Sequence, residues 1–211
     1  GLNVTAGAKA VIEHPEYFQD LHQLGHAFSW RDPDVSIPEC MQTIKEGFRK
    51  LIEDYGYEGI KLDFWTYGLI ANQRPFALPF KYSQGNKTGL EYMHELLRYV
   101  RELIGDGYLE TGCDISMGNP FVGQYADNFR YGIDIQGGYW DRIVFAARCM
   151  AFLTAATQPL GYLANSDTIG VMGNLDATKR RTWLTFCFIS GSMLEIGGDF
   201  VAATKDVDPD Y

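Results

Sequence analysis

The sequence predicts an α/β fold built on a parallel sheet, open or closed. Three observations carry that prediction. A short apolar run, a loop and an amphipathic helical stretch follow one another repeatedly along the chain, and this alternation is the pattern of a parallel sheet flanked by helices. Four of the apolar runs end in a carboxylate, at Asp63, Asp114, Asp134 and Asp167, and Asp199 follows the last run. No low-complexity tract or linker interrupts the 211 residues, so residues 1–211 are expected to form one domain.

The first helix is expected after Ser36-Ile37-Pro38-Glu39. Ser36 and Glu39 have capping-box spacing, and Pro38 suits the first turn. Met41, Ile44, Phe48, Leu51 and Ile52 then supply one apolar stripe, and Gly56 a stop. Gly59 to Trp65 reads as a strand. Thr88 and Glu91 form a second capping box, Leu90, Met93, Leu97, Val100 and Ile104 a second stripe, and Gly105 its stop. Strands are expected at 108–114 and, more weakly, 128–135. A helix over 139–157, a strand at 162–165, a helix over 177–189 and a strand at 192–196 complete the pattern. Leu2 to Thr5 is a candidate sixth strand. The stretches 74–89 and 113–128 read as long loops after strand ends, where a barrel builds its active site.

Composition narrows the function. There are 18 basic and 27 acidic residues, a net charge of −9, and no basic stripe to bind nucleic acid. No apolar run reaches about 18 residues, so no membrane span is expected. Cys40, Cys113, Cys149 and Cys187 form no CxxC pair and read as buried free thiols. His14, His22, His26 and His94 show no metal-ligand spacing.

Strand C-terminal ends share one face of a parallel α/β fold, and ligands bind there. Carboxylates at those ends therefore converge although distant in sequence. Such a set suits divalent-metal binding or glycoside hydrolysis by paired acids. Taken singly, each Asp reads first as a helix cap or a solvated loop residue; it is four in the same relative position that favour a site.

Six segments, in order, resemble one family. YEGIKLDFW (57–65) resembles the nucleophile strand of the melibiase-type α-galactosidase clan, glycoside hydrolase families 27 and 36. These are retaining enzymes on a (β/α)8 barrel. NFRYGIDI (128–135) is similar to the clan's Arg-x-x-x-Asp acid/base pattern. TGCD (111–114) sits where the clan carries Cys followed by an acid. NSDTIGV (165–171) resembles its strand-seven segment, RRTWLTFCFISGSMLEIGGD (180–199) its last helix, turn and strand, and IEHPEYF (12–18) its His-Pro-Glu segment.

The resemblance implies a partial (β/α)8 barrel holding roughly strands three to eight. The early strands and any C-terminal β-sandwich would be absent from the chain. It implies Asp63 as nucleophile and Asp134 as acid/base, about 5–5.5 Å apart as retention requires. Lys61, Trp65, Cys113, Asp114, Arg130 and Asp167 would bind substrate. Asp114 would contact the 2-hydroxyl, and Asp167 would hold part of the pocket. Lys61 would sit on the face of Asp63 and help keep it anionic. Lys61 is alternatively a snorkelling strand-end residue, Arg130 and Asp134 a structural ion pair, and Trp65 and Trp140 core residues rather than sugar walls. Strand seven departs from the clan, with Asn165-Ser166-Asp167 in place of Asn-Asp-Pro-Asp.

The expected function is a retaining α-glycoside hydrolase, foremost an α-galactosidase. The alternatives are an α-galactosyl transglycosylase, a non-catalytic carbohydrate-binding protein, or a divalent-metal hydrolase that the scarcity of His disfavours. No cofactor is implied. The expected partner is an α-galactoside oligosaccharide or glycoconjugate, and a second copy or a complementing chain segment is expected to cover the open strand edges. The sugar is left open, because the residues that read the 4- and 6-hydroxyls would lie outside the chain.

Overall fold

The computed structural model describes residues 4–5, 8–20, 30–63, 82–111, 122–130, 134–135, 139–157, 163–170 and 175–197. The chain divides into two compact units, 1–116 with 124–126, and 117–123 with 127–211.

In the first unit, strands β1 (Val4–Thr5), β2 (Phe18–Asp20) and β3 (Trp30–Pro33) form an antiparallel sheet with β3 in the centre. The expectation of β1 as a further parallel strand is therefore corrected: it pairs antiparallel with β3, through Val4–Arg31 and Thr5–Trp30. A short helix α1 (Lys9–Glu13) and a 3-10 turn (Pro15–Tyr17) lead from β1 to β2.

Helix α2 (Pro38–Arg49) begins where Pro38 fits the first turn. The capping box expected from Ser36 and Glu39 does not form: Ile37 is the N-cap, and no side chain caps it. The Ser36 hydroxyl instead donates to the buried Asp34 carboxylate. Asp34 also accepts from Ser36 N at 3.0 Å and from Ser83 N at 2.9 Å. A buried carboxylate needs several donors, and here that need outweighs the helix end. The last turn of the helix widens to a π-helical turn over Lys50–Asp54. The widened turn shifts the phase of the apolar stripe, and Leu51, expected inside, is exposed.

Helix α3 (Gly89–Ile104) follows its sequence closely. The Thr88 hydroxyl accepts from Glu91 N, and the Glu91 carboxylate accepts from Thr88 N, so the box closes. Donation to it from Thr88 N and from the Thr88 hydroxyl holds the Glu91 carboxyl below its ordinary range. Met93, Leu97, Val100 and Ile104 are buried as their spacing predicts, together with Tyr92 and Leu96. Gly105 ends the helix at φ 59°. Strands β4 (Gly59–Leu62) and β5 (Tyr108–Thr111) flank α3 in sequence and pair in parallel, with Lys61 abreast of Glu110. Their chain order is strand, helix, strand, the βα rhythm read from the sequence.

The second unit repeats the rhythm. Strand β6 (Asn128–Arg130), helix α4 (Trp140–Thr157), strand β7 (Leu163–Gly170), helix α5 (Ala177–Ser190) and strand β8 (Met193–Gly197) succeed one another. β6 pairs with β7 and β7 with β8, both in parallel. Phe129 and Ala164 share a buried cluster with Ile143, Ala146 and Met150 of α4 and Trp183 and Cys187 of α5. Asn128, Arg130 and Asn165 alternate with those residues and so lie on the other sheet face. Trp140 packs against this cluster, with Lys179 Nζ 5.9 Å from its ring centre, which assigns it to packing. Asp176 caps α5 by accepting from Lys179 N at 2.9 Å, and Gly191 ends it in the left-handed region.

Candidate active site

Of the expected site residues, Lys61, Asp63, Arg130, Asp134 and Asp167 are described. Trp65, Cys113 and Asp114 lie outside the described residues.

In the first unit, Asp63 is the residue directly after β4, and it is half-buried. The strand stops at Leu62, one residue short of it. Lys61 Nζ lies 3.0 Å from Glu110 Oε1, on the strand abreast. Glu110 is 2% exposed, and the Tyr108 hydroxyl donates to its other oxygen at 3.0 Å. Sequence reasoning named Lys61 but missed Glu110. The available signal was a carboxylate in mid-strand with the same side-chain parity as Asp114, because charged residues are seldom buried without a partner.

In the second unit, three expected residues meet. β6 is described as far as Arg130, and residues 131–133, between it and Asp134, lie outside the described residues. The Arg130 and Asp134 side chains form an ion pair. Arg130 is 4% exposed, and its other terminal nitrogen donates to Asp167 Oδ1 at 3.1 Å. One guanidinium fork thus holds two carboxyl groups, the planar geometry to which arginine is suited. The Asp134 side chain is nearly half exposed, and Arg142 donates to its main-chain oxygen at 3.1 Å.

Asp167 owes its position to an irregular strand. Between β7 and β8 the register slips: Asn165 is abreast of Met193, but Thr168 is abreast of Glu195. Three steps on β7 match two on β8, which is a β-bulge. Asp167 sits in it at φ 69°, a left-handed conformation that Asp tolerates better than most residues. Its second oxygen accepts from Ile135 N at 2.9 Å, and its own N–H donates to Asn165 Oδ1 at 2.7 Å. The Asn165 amide in turn donates to Glu195. The result is a hydrogen-bonded chain over three neighbouring strands: Glu195, Asn165, Asp167, then Arg130 and Ile135, with Asp134 at its end. Asn165 and Glu195 were missed as site residues. Glu195 is a charge inside an apolar strand, which was the signal for it.

Among the described residues, no group of three or more His, Cys, Asp or Glu side chains is placed to hold a metal ion. Cys40, Cys149 and Cys187 are free thiols there. No described helix is long and apolar enough to cross a membrane.

No family model matches the sequence, and no curated protein does. Solved structures do. TtGalA, an α-galactosidase from Thermus thermophilus, aligns in its complex with p-nitrophenyl α-D-galactopyranoside with a TM-score of 0.62 and 15% identity over 99% of this chain. Its complex with stachyose aligns at 0.59, also with 15% identity, over 93%. The fold is that of part of a (β/α)8 barrel. At this identity the likeness is one of fold, and the chain spans 43–44% of the length of the enzyme it matches. A GH27 β-L-arabinopyranosidase from Geobacillus stearothermophilus aligns at 0.49, with 16% identity over 80% of this chain and 38% of that one.

Proposed function

We propose that the chain is part of a retaining α-glycoside hydrolase of the melibiase type, and foremost of an α-galactosidase. One observation carries this reading. Asp63 directly follows a parallel strand in a fold shared with an α-galactosidase, at the strand end where barrel enzymes place their chemistry.

In the proposed reaction Asp63 attacks the anomeric carbon and forms a glycosyl ester. Asp134 gives its proton to the departing glycosidic oxygen. Water then attacks the ester with Asp134 as base, and two inversions leave the configuration retained. Arg130 holds the acid/base, and Lys61, anchored on Glu110, supplies a cation on the nucleophile strand, two residues before Asp63. Trp65, Cys113 and Asp114 are proposed to line the sugar, with Asp114 at the 2-hydroxyl. The substrate is an α-galactoside oligosaccharide or glycoconjugate. Residues 1–211 would serve as one segment of the catalytic barrel.

The test is nitrophenol release from p-nitrophenyl α-D-galactopyranoside, α-glucoside and α-N-acetylgalactosaminide, by this chain and, beside it, by the full-length protein that contains it. Turnover of the galactoside, abolished in Asp63→Asn, is the expected result. Binding of a galactoside with no turnover would sink the hydrolase reading in favour of a carbohydrate-binding protein. Transfer to an added sugar acceptor in preference to water would make the protein a transglycosylase.

A further inference from the structure

We propose that Asp167 is a positioning residue for Asp134, held by a relay that starts at Glu195, and that it is not a sugar ligand. This rests on the reading of Asp134 as the acid/base. Asp167 is 3% exposed, and both oxygens of its carboxylate already accept from protein donors. One oxygen grips Arg130 and the other grips the N–H of Ile135, the residue next to Asp134. Asp134 is thus held from two sides by a single carboxylate. Its side chain is held through the guanidinium, and its main chain through the neighbouring amide.

The relay has a chemical use. An acid/base alternates between neutral and ionised forms, and a buried guanidinium needs a carboxylate throughout that cycle. Asp167 supplies it, so Arg130 stays compensated while Asp134 gives or takes its proton. The bulge then fixes where Asp167 points, and Asn165, itself held by Glu195, fixes the bulge.

Two variants test this without straining the backbone, because Gly and Asn both accept φ 69°. Asp167→Gly removes the carboxylate, and Asp167→Asn keeps an acceptor for Ile135 while removing the charge. In Asp167→Gly, kcat on phenyl α-galactoside, a poor leaving group, is expected to fall about 10- to 100-fold with KM nearly unchanged. The loss on p-nitrophenyl α-galactoside should be smaller, because an activated leaving group needs less protonation. Asp167→Asn should recover part of the rate. A rise in KM on both substrates with kcat intact would overturn the proposal and make Asp167 a sugar ligand.

A second readout does not depend on activity. Solvent exchange of the Ile135 amide, followed by NMR, should quicken about tenfold or more in Asp167→Gly and less in Asp167→Asn. Unchanged exchange overturns the positioning role. If the full-length protein that contains this chain turns over neither substrate, the glycosidase reading fails, and the amide still decides whether Asp167 holds the Asp134–Ile135 segment.

Discussion

The two units hold their polar strand residues in different ways. At β4 and β5 the partners meet by register alone. Lys61 and Glu110 stand abreast in a regular parallel pair and form an ion pair, and the Tyr108 hydroxyl donates to the same carboxylate. At β6, β7 and β8 the partners meet through an irregularity. Asp167 reaches Arg130 and Ile135 from a bulge in left-handed conformation. A regular pair aligns whatever its sequence places abreast. A bulge aims one chosen side chain, at the expense of backbone strain. The proposed chemistry matches this difference: a nucleophile needs a cation nearby, whereas an acid/base must be held still while its charge changes.

Substitutions can break this contrast, and the largest effect is expected at Asp134. Asp134→Asn should slow turnover of phenyl α-galactosides by about 100- to 10,000-fold, the range of general acid–base catalysis, and affect nitrophenyl substrates far less. Steady-state kinetics on a series of leaving groups checks this, and equal losses across the series would remove the acid/base assignment. The next effect is on stability, at the regular pair. Lys61→Met leaves the buried Glu110 without its ammonium. Breaking a buried pair costs about 3–5 kcal/mol, and the half-exposed lysine lowers the expectation to about 2–3 kcal/mol in urea unfolding.

A smaller effect isolates the bulge. Asp167→Ala and Asp167→Gly lose the same carboxylate, but alanine resists φ 69°. The alanine variant should be less stable by about 0.5–1 kcal/mol, after allowance for the freer unfolded chain of the glycine variant. Equal stability would mean that the backbone relaxes out of the left-handed region.

The smallest effect lies away from either site, at Glu95. Lys45 and then Lys87, each 2.7 Å away, hold its carboxyl below the ordinary range. A depressed folded value stabilises above the unfolded one, near about 4.3, and that stability is lost as pH falls through the folded value. Glu95→Gln should therefore lose under about 1 kcal/mol at pH 7 and match the wild-type protein in strong acid. Denaturant titrations at the two pH values check it.

Much of the fold was legible in the sequence, because local chemistry and tertiary structure agree there. Thr88, Glu91 and Gly105 mark both ends of α3, and its three- and four-residue apolar spacing matches its buried face. The strands β4 to β8 all begin within one residue of their expected starts. Where reading failed, a distant partner had decided the outcome. Ser36 has the spacing of a cap, but Asp34, whose second oxygen is tied to Ser83 about fifty residues away, claims its hydroxyl. β1 and β3 pair antiparallel across a gap that no local pattern reveals. At the candidate site, carboxylates at the ends of apolar runs pointed to Asp63, Asp134 and Asp167, and the family resemblance added Arg130. Glu110, Asn165 and Glu195 were hidden, because naming them requires knowing which residues stand abreast and where a strand bulges.

Cys40 and Cys187 lie one in each unit, both buried, and burial pushes the Cys40 thiol up to about 12 and raises that of Cys187. Burial disfavours the thiolate, the form that alkylating reagents attack, so both thiols are shielded until their surroundings open. The chain therefore carries two natural clocks. Pulse alkylation read peptide by peptide would time the opening of α2 and of α5 separately, in the unmodified protein. It would show whether the two units loosen together or one ahead of the other.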